Sequence, residues 1–92
     1  MSVKYNVVFS KLAQEKFDRL IQSNRKAGKQ IAAAIDRLAA NPTLGSFLKG
    51  PWKGYYKYRS GDYRIIYRIE HGRLVIYIIT IDHRKDVYRL SR

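Results

Sequence analysis

The chain has 92 residues, enough for one domain (1–92) and too few for two. It carries 19 Lys and Arg against 7 Asp and Glu, a net charge of +12, with 46% hydrophobic residues and no cysteine. These numbers exclude global disorder, a disulfide scaffold or thiolate metal centre, and a helical membrane span, since no apolar run approaches the roughly 20 residues that one needs. The first residues alternate apolar and polar and read as a strand, not a signal peptide, so a cytoplasmic protein without membrane contact is expected. Such a charge density attracts polyanions. Nucleic acid and an acidic protein partner both fit it, and both apply if the partner covers a nucleic-acid-binding face.

Val3, Tyr5, Val7 and Phe9 alternate with Lys4, Asn6 and Val8, which predicts a first strand. Ser10 is placed to cap a helix. Ala13, Phe17, Leu20 and Ile21 recur at helical spacing behind it. Ser23-Asn24 breaks that helix, and a second runs from about Lys26 to Ala40 with Ile31, Ile35, Leu38 and Ala39 inward. Asn41-Pro42 ends it, because a residue before proline is pushed out of the helical region. Two helices with a short break imply a helical hairpin. Residues 42–53 read as a loop. Residues 54–81 are rich in Tyr, Ile and Val and hold two turn signals, Ser60-Gly61 and His71-Gly72, giving strands at 54–59, 62–70 and 73–81. The order β-α-α-β-β-β predicts an α+β domain, an antiparallel sheet with the two-helix hairpin on one face.

Two-residue turns set the register. They place Lys57 opposite Arg64, Arg64 opposite Ile79 and Arg68 opposite Val75. Tyr56, Tyr58, Tyr63, Ile65, Tyr67, Ile69, Leu74, Ile76 and Ile78 then share the core face. Lys57, Arg59, Arg64, Ile66, Arg68, Tyr77 and Ile79 share the open one. Like charges opposite each other are destabilising, and a bound anion would offset that. Carried onward, the same parity puts His83 on the Arg64 side, with Arg84 and Tyr88 following. There is no phosphate-cradling glycine loop, no pair of histidines with metal-ligand spacing, and no Ser-His-Asp arrangement. No metal and no cofactor are expected.

The stretch Tyr55-Tyr56-Lys57-Tyr58-Arg59-Ser60-Gly61-Asp62-Tyr63-Arg64-Ile65-Ile66-Tyr67 resembles the central hairpin of the RelE/ParE toxins. His83-Arg84-Lys85-Asp86-Val87-Tyr88 resembles the closing motif of the RelE branch, and Leu48-Lys49-Gly50 the loop before the hairpin. The resemblance spans nearly the whole chain. It implies the toxin of a type II toxin–antitoxin system, an endoribonuclease that cuts messenger RNA in the ribosomal A site and is silenced by an antitoxin from an adjacent gene. In that chemistry a ribose 2′-hydroxyl attacks the neighbouring phosphate, leaving a 2′,3′-cyclic phosphate and a 5′-hydroxyl. It needs a base, cations for the charge growing on phosphate, and an acid. The match carries catalytic roles to four residues, and His83 joins them as the natural titrating group near neutral pH. Arg64 and Arg84 would hold phosphate, Lys57 would be the strand lysine, and Tyr88 and His83 would move protons or stack. Lys49, Lys53, Arg59, Arg68 and Lys85 would contact RNA. One departure is Tyr55, where some relatives carry a second lysine; Arg59 could supply that charge. Two other readings stay open: a ParE-like gyrase inhibitor without nuclease activity, and an inactive member that binds only antitoxin.

Overall fold

The computed structural model describes residues 3–85. Strand β1 (Asn6–Phe9) leads into helices α1 (Lys11–Ser23) and α2 (Arg25–Ala40). A two-residue strand β2 (Ser46–Phe47) follows, then β3 (Tyr56–Ser60), β4 (Tyr63–Glu70) and β5 (Val75–His83). The helix boundaries have local causes. The Ser10 hydroxyl accepts from Ala13 N–H at 3.0 Å and so caps α1. Asn24 serves both helices: its backbone N–H donates to Leu20 O at 2.7 Å, while its side-chain oxygen accepts from Ala27 N–H at 3.1 Å.

The five strands form one sheet in the order β1-β5-β4-β3-β2. Pairing is antiparallel except between β1 and β5, which run parallel, Val7 beside Ile76 and Phe9 beside Ile78. The sheet is therefore mixed, where a purely antiparallel one was expected. The helical hairpin and the three strands that follow it form the long connection that parallel neighbours require. The core lies between helices and sheet. Ala13 and Leu20 of α1 and Ile31, Ile35 and Leu38 of α2 bury against Ile65 and Tyr67 of β4 and Ile76, Ile78 and Ile81 of β5.

Three features of register depart from the sequence reading. The β3–β4 loop is Gly61-Asp62, with Gly61 at φ 60°, a conformation glycine adopts freely. Arg59 consequently pairs with Arg64, and Lys57 with Ile66. The shift moves partners by two residues, so the faces stay as expected. The β4–β5 turn occupies four residues: His71–Arg73 form a 3-10 turn and Leu74 takes φ 53°. Leu74, expected in the core, is 40% exposed. Finally, β5 carries a bulge. Tyr67 pairs with Ile78 and Ile66 with Thr80, leaving Ile79 as the extra residue. Past it the parity inverts.

Tyr67 ties the sheet to the loop before it. Its ring is fully buried. Its hydroxyl donates to Pro42 O at 2.5 Å and accepts from Gly45 N–H at 3.1 Å. Burial pushes its pKa up to about 12. A phenol whose folded value is raised contributes stability that is full below pH 10 and is lost as pH climbs toward 12. Denaturation midpoints measured from pH 9 to pH 12 should fall more steeply in the native chain than in Tyr67→Phe, by about 2 kcal/mol across that window. Gly45 is fitted against the same hydroxyl: a Cβ there would lie 2.6 Å from Tyr67 Oη and 2.7 Å from Lys57 O. Since one contact is backbone, Gly45→Ala should destabilise the fold by about 2 kcal/mol in urea titration. An unchanged midpoint would show that β2 moves freely.

Candidate functional site on the open sheet face

The sheet face away from the helices carries Lys57 and Arg59 from β3, and Arg64, Ile66 and Arg68 from β4. Tyr77, Thr80 and Asp82 of β5 share it by register. Arg64 is the centre of this arrangement. It is part-buried, with Arg59 directly opposite on one neighbouring strand and Asp82 on the other. Lys57, also part-buried, lies two residues along β3 from Arg59 on the same side. Arg59 is exposed and its Nε donates a long bond, 3.4 Å, to Gly61 O. Arg84 extends the ladder beyond β5: its N–H donates to Asp62 O at 2.7 Å. Its guanidinium is exposed and only loosely engaged by the Asp62 carboxylate at 4.0 Å. The cations are thus crowded but not neutralised, and surface pairing of this kind holds them weakly.

Asp82 was not singled out by sequence. It is 2% exposed. Lys16 Nζ from α1 donates to its Oδ1, as does Thr80 Oγ1 at 3.2 Å. The reason lies in β1, which is short. Ser10 N–H bonds Ile78 O, and the Ser10 hydroxyl donates to Ile79 O at 2.6 Å, so α1 starts where β1 stops pairing. Lys16 reaches the end of β5 from there. The signal for Asp82 was its place next to the His-Arg pair; that for Lys16 was nil.

His83 requires a correction. Parity had put it on the Arg64 side, and the Ile79 bulge puts it opposite Tyr63 instead. The two rings meet edge to face with centroids 5.1 Å apart. Lys85 N–H donates to His83 Nδ1 at 3.2 Å, so the neutral ring carries its proton on Nε2. Lys85 itself is exposed. Lys49 and Lys53, also exposed, flank the 3-10 turn Gly50–Trp52 ahead of β3 and stand off the strand ladder. Tyr88 lies outside the described residues. Among the described residues no group of three His, Cys, Asp or Glu could hold a metal ion, and no helix is long and apolar enough to cross a membrane.

This two-helix, mixed-sheet α+β fold is shared with solved toxin structures. Residues 7–88 match the family model described as the ParE toxin of the type II toxin–antitoxin system parDE. The chain is 30% identical to toxin RelG of Mycobacterium tuberculosis over 86 residues, covering 92% of this chain and 97% of that one. It is 31% identical to toxin RelE of the same organism over 88 residues, covering 95% and 89%. The toxin–antitoxin complex RelBE2 of Mycobacterium tuberculosis superposes with a TM-score of 0.77 at 29% identity, over 89% of this chain and all of that one. The chain belongs to the RelE/ParE family of type II toxins.

Proposed function

We propose that this toxin is a messenger-RNA endoribonuclease of the RelE kind, acting on translated messages in the ribosomal A site. The single observation that carries the reading is the placement of Arg64. A part-buried guanidinium stands between Arg59 and Asp82, with Lys57 and Arg84 sharing its face. A phosphate docked there would meet planar donors suited to its oxygens and would relieve the repulsion between Arg59 and Arg64. As the ribose 2′-oxygen attacks phosphorus and the bond to the 5′-oxygen breaks, negative charge grows on the phosphate, where Arg64 and Arg84 stabilise it. Lys57 adds a third cation. Removing the 2′-OH proton is assigned to Tyr88, the tyrosine of the closing motif. The leaving 5′-oxygen takes its proton from solvent, since the bulge turns His83 to the Tyr63 side of the sheet, away from Arg64. Lys49, Lys53, Arg59, Arg68 and Lys85 are assigned to contacts with the RNA, and no metal or cofactor is required.

An antitoxin partner is part of the same proposal. The related RelBE2 structure is a toxin–antitoxin complex. Here Val8 and Leu12 are 43% and 48% exposed near the edge formed by β1, an apolar margin suited to an amphipathic, acidic segment. A second reading rests on the name of the matching family model: a gyrase inhibitor of the ParE kind, active without cleaving RNA. Expression of the toxin followed by mapping of message ends and of chromosomal breaks separates the two. Cuts within translated messages support the nuclease. Intact messages with double-strand DNA breaks would transfer the protein to the gyrase reading.

A further inference from the structure

The open face has two ends of different chemistry. Near the β3–β4 turn stand Lys57, Arg59, Arg64 and Arg84. Toward the other end, Arg68 of β4 lies directly opposite Tyr77 of β5, its guanidinium carbon 4.5 Å from the centre of the tyrosine ring. Arg68 is exposed, and among the described residues it joins no ion pair. Its planar group is oriented by an aromatic ring while the rest of the side chain meets solvent. The flanks are apolar or aromatic. Val8, 43% exposed, pairs with Tyr77 across β1. On the opposite side Leu48 N–H donates to Tyr55 O at 2.9 Å, which carries the β2–β3 ladder back to Tyr55, and alternation from Lys57 sets Tyr55 on the open face. Its ring meets that of Trp52, centroids 5.7 Å apart.

We propose that Arg68 and Tyr77 form a stacking platform for a nucleobase of the bound RNA. The proposal rests on the reading of this face as an RNA site and adds a base-binding step to it. Cations alone fix a backbone and leave the bases free. A guanidinium already laid on a tyrosine presents a flat, charged surface to a base at little further ordering cost. Arg68 lies four positions along the strand from Arg64, about 13 Å at the usual rise. The stacked base therefore belongs to a nucleotide beyond the one whose phosphate Arg64 grips. Stacking of this kind tolerates any base, because each has a π-face.

Binding of a fluorescently labelled single-stranded RNA of about 15 nucleotides to the purified toxin tests this. Abasic riboses are placed at one position at a time. One internal abasic position should weaken binding to the native toxin about tenfold. Arg68→Ala should weaken binding of the intact RNA by a similar factor, and that same abasic position should then cost nothing more. Arg68→Lys keeps the charge and loses the plane, so it should bind like Arg68→Ala. Native-level binding by Arg68→Lys, or an abasic loss that persists unchanged in Arg68→Ala, would overturn the platform, as would failure of the native toxin to bind RNA at all. Binding with these losses but without cleavage would leave the platform standing and sink the nuclease reading alone. A docking site for a partner protein's side chain would show instead as RNA affinity indifferent to both the abasic positions and Arg68.

Discussion

Arg64→Ala is expected to cut message cleavage at least tenfold, about 1.4 kcal/mol of barrier, with the fold retained. The expectation follows from where Arg64 sits. It is part-buried and central, with cations of β3 on one flank. A guanidinium in such a place is oriented before the substrate arrives, so its donors are available when charge develops on the phosphate. Removing it also removes the repulsion with Arg59, and stability should move by no more than about 1 kcal/mol. Arg64→Lys should recover part of the rate, since a point charge replaces charge but not the two-pronged donor geometry. Rates on a defined message in a translating extract, with stability followed in urea, give both quantities. Full activity in Arg64→Ala would remove the centre of the proposed site.

Lys16→Met is expected to destabilise the toxin by about 3 kcal/mol. The Asp82 side chain is 1% exposed and Lys16 is the cation bonded to it. Without Lys16 a carboxylate is left in the interior with the Thr80 hydroxyl as its remaining donor among the described residues. Such a charge must be dragged into water or protonated. For a domain of this size the cost corresponds to a fall in Tm on the order of 15 °C. Lys16→Met combined with Asp82→Leu should regain most of the loss, because a buried pair is costly to break and cheap to replace. Urea denaturation at pH 7 measures all three proteins. A Lys16→Met midpoint matching the native one would mean that Asp82 has other compensation. The pair also anchors α1 to the end of β5, beside Arg64 and ahead of His83, so its loss should slow cleavage more than a remote change of equal thermodynamic cost.

The helices were legible because their caps and stripes are local. Ser10, Asn24 and the Ile31–Ile35–Leu38 stripe each act within a few residues, and the structure places them as their spacing implies. The cationic face was legible for a similar reason: alternation in β3 and β4 is strict, and a slip of two residues leaves the faces unchanged. The Ile79 bulge was not. From Leu74 to Ile81 only Tyr77 and Thr80 carry a polar atom, so a period of two leaves no trace and an inserted residue none either. That one residue moved His83 to the Tyr63 side and brought Asp82 opposite Arg64. The parallel pairing of β1 and β5, like the reach of Lys16 across to Asp82, joins residues more than 60 positions apart, and no local pattern encodes it.

The chemistry of the RNA ends tests the central claim most directly. Messages recovered from a translating extract treated with the purified toxin should carry new 5′-hydroxyl ends, which polynucleotide kinase labels without prior dephosphorylation, and matching 2′,3′-cyclic phosphates. Both should disappear with Arg64→Ala. New ends bearing 5′-phosphate, or messages left whole by a toxin that still arrests growth, would contradict the account.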